Sequence, residues 1–271
     1  MLATSVQNAI EMLDLAHSLL VITGAGISVS QGLPTYRGPG GLYTDGGIPP
    51  ATTRRWRQDP MGILRWLDER WPKIRASTPS KAHQAIALWE QSRRFERLLV
   101  VTQNTDGLHA KAGSQAVVRV HGRMGEWWQV DAKEAERTAM LTATKGYRDL
   151  GYSELEWAIE VSNNADGRIS PVVKWYEADY QEGRQPNLVM FGQDYGPRRA
   201  AIDWFLREPV DIVLVVGCSG GVSLAPSIAA AAKRQGATVI EVNPSPSGHF
   251  DADVSIVAGA EVLPTLDSMA G

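Results

Sequence analysis

The chain has 271 residues, of which 44% are hydrophobic and 21% are charged, and its formal net charge is -3. This balance is typical of a globular protein with a sizeable core, and the charge gives no support for a nucleic-acid or membrane-surface partner. The single cysteine, Cys218, excludes an internal disulfide and a zinc site built from several cysteines. The N-terminus lacks the basic segment followed by an apolar segment that is typical of a signal peptide, and no apolar run approaches the ~18 residues that span a bilayer. We therefore expect a cytoplasmic protein.

Short β-branched runs that end in glycine or polar residues predict buried parallel strands. The predicted strands are residues 19–23, 98–102, 117–120, 187–191, 212–216 and 237–242. Helical patterns cover residues 5–17, 80–90 and 226–235. Ser5 and Ser80 are candidate N-caps of the first two helices, and Gly236 is a natural end for the third. The alternation predicts an α/β protein with a Rossmann-like, mostly parallel sheet that helices cover on both faces.

Two stretches break this alternation. Residues 43–79 are rich in proline, arginine and tryptophan, and residues 123–185 carry helical patterns and charges without clear strands. Both follow predicted strand ends, so together they predict a smaller lobe beside the sheet. We expect one unit over residues 1–271, with a large nucleotide-binding lobe at approximately 1–42, 80–122 and 186–271 and a small lobe at approximately 43–79 and 123–185.

The first predicted strand runs into Gly24-Ala25-Gly26. A parallel strand that ends in Gly-x-Gly before a helix is a signal for nucleotide phosphates, because the backbone turns tightly and the helix N-terminus faces negative charge. Gly32 comes too late for the usual third glycine, so a structural turn without a ligand explains this segment equally well.

Polar side chains follow the next two predicted strands. Gln103, Asn104 and Asp106 come after residues 98–102, and His121 comes after residues 117–120. Ligands of open α/β sheets bind at this edge, where short polar groups can hold an amide or ribose hydroxyls. A lone histidine is more often structural, but a histidine at a strand end beside a polar cluster favours acid–base chemistry.

Six ordered motifs resemble the sirtuins, a family of NAD-dependent protein deacylases. GAGISVSQGLPTYRG resembles the family's Gly-Ala-Gly loop, TQNTDGLHAKAG its Thr-Gln-Asn-Ile-Asp signature, and VHG its catalytic His-Gly. PNLVMFGQ, VVGCSGGVSLAPS and IEVNPSP resemble three later motifs in the family's order. One such motif is weak evidence, whereas six in order over most of the chain are strong evidence.

The resemblance implies that the chain binds NAD and that His121 acts as general base on a ribose hydroxyl, with Asn104 as a second catalytic residue. Glycine loops would approach the pyrophosphate, and the tyrosine–arginine pair would fold over the nicotinamide ribose. The implied cofactor-binding residues are Gly24, Ala25, Gly26, Ser28, Tyr36, Arg37, Gln103, Asn104, Asp106, Gly217, Cys218, Ser219 and Asn243.

The chain departs from the family's pattern at several points. Most sirtuins carry a four-cysteine zinc module after the His-Gly motif, whereas residues 122–186 contain neither cysteine nor histidine, so we expect no metal. Thr105 replaces the usual isoleucine, Gln193 stands where glutamate usually follows Phe-Gly, and the GCSGGVSLAP loop is two residues longer than usual.

The resemblance implies a protein-lysine deacylase that consumes NAD and an acylated lysine and releases nicotinamide and O-acyl-ADP-ribose. NAD glycohydrolysis, in which water replaces the acyl oxygen, ADP-ribosyl transfer and a non-catalytic binding module stay open as alternatives, although an intact His121 argues against the last. Thr35 resembles the sirtuin branch that removes acidic acyl groups. That branch's Tyr-x-x-Arg pair falls here on Leu67 and Arg70, so we expect no strong succinyl preference.

Overall fold

A six-stranded parallel sheet forms the centre of the protein, which we describe from a computed structural model. The structure describes residues 2–37, 41–42, 51–129, 169–171, 184–193, 195 and 197–267. The strands are β1 Ser18–Thr23, β2 Arg97–Thr102, β3 Val117–Arg119, β4 Gly122–Gln129, β5 Ile169–Pro171, β6 Arg184–Leu188, β7 Ile212–Val216, β8 Thr238–Val242 and β9 Val254–Ile256. Six of them pair in the order β3-β2-β1-β7-β8-β9, and every pairing is parallel. The predicted α/β class is confirmed.

Helices cover both faces of this sheet. They are α1 Leu2–Leu15, α2 Thr53–Gln58, α3 Pro60–Ala76, α4 Lys81–Gln91, α5 Leu108–Ala112, α6 Pro197–Phe205 and α7 Leu224–Arg234, with 3-10 helices at Ala25–Gln31 and Ala260–Leu266. Leu19 and Val21 of β1 pack in one core cluster with α1, α4 and the second 3-10 helix. Leu20 and Ile22 pack in another with α6 and α7. The four central residues of the strand, 19–22, are all apolar because both of its faces are buried.

The order of the strands places a crevice at the carboxyl ends of β1 and β7. From β1 the chain extends the sheet through β2 to β3, and later returns to the other side of β1 as β7, β8 and β9. Thr23 pairs in register with Thr102 and with Val216, so three strands end level with one another. Loops that leave neighbouring strands in opposite directions open the ligand crevice of such sheets.

A second sheet corrects two sequence predictions. β4 pairs antiparallel with β5 on one side and β6 on the other, within a stretch that was expected to lack clear strands. The prediction of a parallel strand at residues 187–191 is wrong, because the strand there is β6, Arg184–Leu188, and its partner is β4. The apolar run that led to the prediction, residues 188–191, lies mostly beyond β6, where Phe191 forms a single parallel bridge with Thr52.

Helix ends are predicted unevenly. Ser80 is the N-cap of α4, because its hydroxyl accepts a hydrogen bond from the His83 amide and the His83 side chain returns to the Ser80 amide. The Ser5 cap is wrong, since α1 begins at Leu2 and includes Ser5 in its first turn. No helix in the described part of the chain is long and apolar enough to cross a membrane.

The two insertions meet in a separate apolar cluster. Its buried members are Ile63, Leu64 and Leu67 of α3, Met124 and Trp127 of β4, and Leu188 of β6. Trp127 is 2% exposed and is the largest of these side chains, so it lies where an anchor of a small lobe was expected. The side chains of Trp128, Trp157 and Trp175, which we also expected to be anchors, lie outside the described residues. The lobe boundaries themselves stay a prediction.

Candidate functional site

A cavity of about 1310 Å³ opens where the carboxyl ends of the parallel strands meet the segment after β6. Its volume exceeds the ~300–1,000 Å³ of ordinary small-molecule pockets, which leaves room for a dinucleotide and part of a second substrate. The predicted site residues that line it are Gly24, Ala25, Gly26, Tyr36, Arg37, Gln103, Asn104, His121, Gly217, Cys218, Ser219 and Asn243.

The glycines of the first loop bring two backbone segments into direct contact. The Gly24 amide donates to the Val216 carbonyl at 3.0 Å, and the Gly26 amide donates to the Gly217 carbonyl at 2.9 Å. A Cβ atom on Gly26 would lie 2.5 Å from the Gly217 Cα, and one on Gly24 would lie 2.7 Å from the Cys218 Cα. These glycines are therefore required for the β1 and β7 loops to form one continuous cavity wall.

Asn104 is held by its amide nitrogen. It is 4% exposed, and its Nδ2 donates to the Gly24 carbonyl at 3.0 Å and to the Ser28 hydroxyl oxygen at 3.3 Å. Because a carbonyl can only accept, the nitrogen end of the amide must face Gly24. The side chain thus has one orientation at the cavity wall before any ligand binds.

Ser28 and Asp106 stand behind that wall. The Ser28 hydroxyl donates to Asp106 Oδ2 at 2.7 Å, and Asp106 Oδ1 accepts from the Leu108 amide at 2.9 Å. Neither residue is among those that line the large cavity. Ser28 thus orients Asn104 and Asp106 holds Ser28, while the expected contact of both residues with the cofactor stays a prediction.

His121 has a defined tautomer. Its Nδ1 lies 2.8 Å from the Gln103 carbonyl oxygen, which can only accept, so Nδ1 carries the proton of the neutral ring and Nε2 carries the lone pair. Burial lowers the pKa of His121, the bond to the Gln103 carbonyl offsets part of that shift, and the nearby Arg198 guanidinium adds to it. The imidazole is therefore neutral near pH 7 and can accept a proton at Nε2.

Cys218 joins the Gln103 and Asn243 sides of the cavity. The Gln103 Nε2 donates to the Cys218 sulfur at 3.0 Å, and the Asn243 Nδ2 donates to the Cys218 carbonyl at 3.0 Å. Burial raises the pKa of the Cys218 thiol, so it stays protonated at neutral pH. Its role in the wall is therefore packing and hydrogen bonding rather than nucleophilic attack.

The tyrosine–arginine loop covers the cavity from the other side. Burial raises the pKa of the Tyr36 phenol, and a hydrogen bond with the Thr105 side chain offsets part of that rise. A Cβ atom on Gly221 would lie 3.0 Å from the Arg37 guanidinium, so the elongated loop after Cys218 directly contacts Arg37. Two departures from the family's pattern, at Thr105 and in this loop, therefore meet the same segment.

Apolar side chains that the sequence analysis did not assign to the site line one end of the cavity. They are Trp66, Met124, Leu188, Met190, Phe191 and Tyr195. The Tyr195 ring centroid lies 6.0 Å from that of His121. Nothing in the spacing of these residues indicates a site, because they come from α3, β4, β6 and the segment after β6 and converge only in the fold.

Arg70 does not line this apolar end. Its guanidinium lies 4.2 Å from the Trp66 ring centroid, and its Nη1 donates to the Trp66 carbonyl at 2.9 Å and to Glu69 Oε2 at 3.2 Å. Leu67, at the position of the family's tyrosine, is fully buried in the small apolar cluster. Trp66 is therefore part of the cavity wall, whereas Arg70 is not.

Comparison with known proteins agrees with this arrangement. The sequence model of the Sir2 family matches residues 24–224. NAD-dependent protein deacylase 2 of Pyrobaculum aerophilum is 34% identical over 264 residues, which cover 96% of this chain and 93% of that protein. The NAD-dependent protein deacylase of Aeropyrum pernix is 32% identical over 250 residues, which cover 89% and 88%.

Comparison of the fold with solved structures indicates the same family. A solved Sir2 homologue, a phenylalanine-to-alanine mutant in complex with ADP-ribose, superposes with a TM-score of 0.74 at 25% identity, covering 96% of this chain and 94% of that one. A structure titled for the mechanism and regulation of Sir2 enzymes superposes with a TM-score of 0.71 at 28% identity, covering 97% and 96%. The chain therefore belongs to the Sir2 family.

Proposed function

We propose that this protein is an NAD-dependent protein-lysine deacylase that releases nicotinamide and O-acyl-ADP-ribose. The observation that carries the proposal is His121, a neutral imidazole whose tautomer the Gln103 carbonyl fixes, in the wall of a dinucleotide-sized cavity. A pure binding module has no need of a base held in one tautomer. The relatives named as NAD-dependent protein deacylases cover nearly the whole chain, which supports the same activity.

The residues present fit NAD. The glycines of the joined β1 and β7 loops leave parts of the wall as bare backbone, which suits a pyrophosphate that must approach closely. The amides of Gln103 and Asn104 suit ribose hydroxyls and a carboxamide, and Asn243 lies on the adenosine side. When bound, NAD supplies the ribose carbon from which nicotinamide leaves.

His121 then acts on the ribose. Its Nε2 takes a proton from a ribose hydroxyl, and the Gln103 carbonyl stabilises the protonated ring through Nδ1. Asn104, held by Gly24 and Ser28, keeps the sugar in place while this happens. Positioning of this kind contributes a large share of enzymatic rate enhancement.

The apolar end of the cavity suits the acylated lysine. Trp66, Met124 and Leu188 offer a surface for the lysine methylenes and the acyl chain. An apolar surface beside the reacting atoms limits the access of water to them.

One observation favours NAD glycohydrolysis as a second candidate. Thr105 lines the cavity and carries a hydroxyl where the family usually has isoleucine. A hydroxyl there can hold a water molecule, which would replace the acyl oxygen as the nucleophile.

Nicotinamide release with and without an acetyl-lysine peptide separates the two candidates. A deacylase releases nicotinamide only when the peptide is present, whereas a glycohydrolase releases it at the same rate in both reactions. We also propose that the enzyme works without zinc, which the lack of cysteine and histidine in residues 122–186 supports. Its expected cytoplasmic location stays a prediction.

A further inference from the structure

Helix α2 presents a basic surface beside the cavity. Three of its six residues are arginines, Arg54, Arg55 and Arg57, and all three are exposed. In the part of the chain that the structure describes, none of these three guanidinium groups forms an ion pair. Three uncompensated positive charges on a chain whose net charge is -3 form a local patch of the opposite sign.

The geometry of α2 directs the arginines outward together. Successive helical residues are separated by about 100°, so Arg54 lies between Arg55 and Arg57 around the axis, and Trp56 lies about 160° from Arg54 and about 100° from each of the other two. Trp56 packs against the small apolar cluster. The half-buried tryptophan thus fixes which side of the helix faces inward, and the arginines cover the side that faces solvent.

The helix is attached to the mouth of the cavity by backbone hydrogen bonds. The Thr53 amide donates to the Phe191 carbonyl at 3.1 Å, and the Phe191 amide donates to the Ala51 carbonyl at 3.0 Å. Ala51 and Phe191 both line the cavity, next to the apolar end proposed for the acylated lysine. A polypeptide that inserts a lysine there must pass close to the first turn of α2.

We propose that Arg54, Arg55 and Arg57 bind acidic residues that flank the acylated lysine of the substrate protein. This inference rests on the proposed deacylase function and adds a sequence preference to it. At about 3.3–3.6 Å per residue of extended chain, side chains roughly two to five positions from the lysine come within reach of one short helix. Complementary charge of this kind mainly selects partners and speeds their encounter.

The test compares kcat/KM for acetyl-lysine peptides that carry glutamate, glutamine or lysine at the flanking positions, on either side of the acetyl-lysine. We expect the wild-type enzyme to prefer glutamate over glutamine by about five- to thirtyfold at low salt, with a smaller preference at 0.3 M salt. The triple variant R54E/R55E/R57E should reverse the preference in favour of lysine, and R54Q/R55Q/R57Q should abolish it.

A matched control has the same change in charge at other sites. Three other arginines are exposed: Arg93, Arg207 and Arg234. Each lies at or just after the end of a helix that leads into a parallel strand, which places it at the edge of the sheet opposite the cavity. The variant R93E/R207E/R234E should keep the glutamate preference. Thermal unfolding of each variant shows whether it is folded, and turnover of the glutamine peptide shows whether its chemistry is intact.

Three outcomes would overturn the inference. The first is equal turnover of all peptides by the wild type. The second is a loss of glutamate preference in R93E/R207E/R234E that equals the loss in the α2 variants. The third is binding of a random single-stranded oligonucleotide by the three α2 arginines while the peptides are turned over alike. Failure of the deacylase proposal looks different, because no peptide of any charge would then be deacetylated.

Discussion

Two backbone carbonyls determine what the polar side chains of the cavity can do. The Gln103 carbonyl fixes the proton of His121 on Nδ1, and the Gly24 carbonyl fixes the amide of Asn104. In both cases the fixed side chain offers its remaining polar atom to a ligand in one orientation. Preorganisation of this kind contributes to catalysis because no reorientation is needed during the reaction.

We expect His121→Ala to abolish deacylation while NAD binding changes by less than about tenfold, because a general base typically contributes ~10²–10⁴ in rate rather than ground-state affinity. Deacetylation of a peptide and calorimetric titration with NAD measure the two effects. His121→Asn is the matched control for shape, since its amide can still donate to the Gln103 carbonyl but cannot act as a base. Near-normal turnover by either variant would show that His121 is structural.

The pH dependence of the reaction provides a second test of the same residue. His121 must be neutral to accept a proton, and its pKa is lowered from the ordinary value of about 6.5. Activity should therefore persist as the pH falls below 6.5 and should decline only through the lowered pKa. The acid limb of kcat/KM against pH reports this value for the free enzyme, and an acid inflection at or above about 6.5 would contradict the assignment.

Arg70 bears on which acyl group is removed. Because its guanidinium stacks on Trp66 and does not line the cavity, we expect activity on acetyl and longer apolar acyl groups and no strong preference for succinyl. Values of kcat/KM for acetyl, longer apolar and succinyl peptides, in the wild type and in Arg70→Ala, measure the selectivity. A succinyl preference above about a hundredfold that disappears in Arg70→Ala, roughly 2.7 kcal/mol, would show that the arginine binds the acyl group without a tyrosine partner.

The sequence predicts many residues of the site, but not the orientation of their side chains. Gln103, Asn104 and His121 come together because each follows a parallel strand, and strand ends share one edge of the sheet. Which polar atoms face the ligand depends on carbonyls from other segments, and these have no signature in the sequence. For the same reason the sequence does not show that Ser28 accepts a hydrogen bond from Asn104 and donates one to Asp106.

At the scale of elements, the Ser80 cap connects α4 to the first glycine-containing loop. The Ser80 hydroxyl donates to the Ile27 carbonyl at 3.0 Å, and Ser80 is 3% exposed. The same oxygen lies 2.7 Å from His83 Nδ1, within the capping box of the helix. One serine therefore caps the N-terminus of α4 and also holds the loop that forms part of the cavity wall.

Ser80→Ala should lower the free energy of unfolding by about 1–2 kcal/mol, because it removes an N-cap and leaves a buried carbonyl with one fewer partner. Urea denaturation monitored by tryptophan fluorescence measures the change. Ser92→Ala is the control at the other end of α4, where the hydroxyl is exposed and bonds only weakly to the Trp89 carbonyl at 3.4 Å. Equal effects of the two substitutions would contradict the role given to Ser80.

The sequence predicted parallel strands better than antiparallel ones. β1, β2 and β7 are buried on both faces, and their continuous apolar runs identify them. The apolar run at residues 188–191 led to the prediction of a parallel strand, whereas β6, Arg184–Leu188, shares only Leu188 with that run. β4 mixes glycine, charge and tryptophan, and no alternation of apolar residues indicates a strand there.

At the scale of the whole molecule, apolar side chains connect the two insertions. Among the described residues no group of three or more histidine, cysteine or acidic side chains is arranged to hold a metal ion. α3 from the first insertion packs on β4 and β6 through the cluster around Trp127. A buried tryptophan removes roughly 150–250 Å² from water, which is a substantial contribution for a small lobe.

We therefore expect chelation to leave both fold and activity unchanged. Extensive dialysis against a chelator, followed by elemental analysis, thermal unfolding and a deacetylation assay, tests this. One zinc ion per chain that survives chelation would contradict it, and so would unfolding on addition of the chelator.

The most direct test of the deacylase assignment is product analysis of a reaction that contains NAD and an acetyl-lysine peptide. Mass spectrometry should find nicotinamide, deacetylated peptide and O-acetyl-ADP-ribose in equal amounts, with NAD stable when the peptide is omitted. Free ADP-ribose as the main product, formed at the same rate without the peptide, would contradict the assignment and identify the protein as an NAD glycohydrolase.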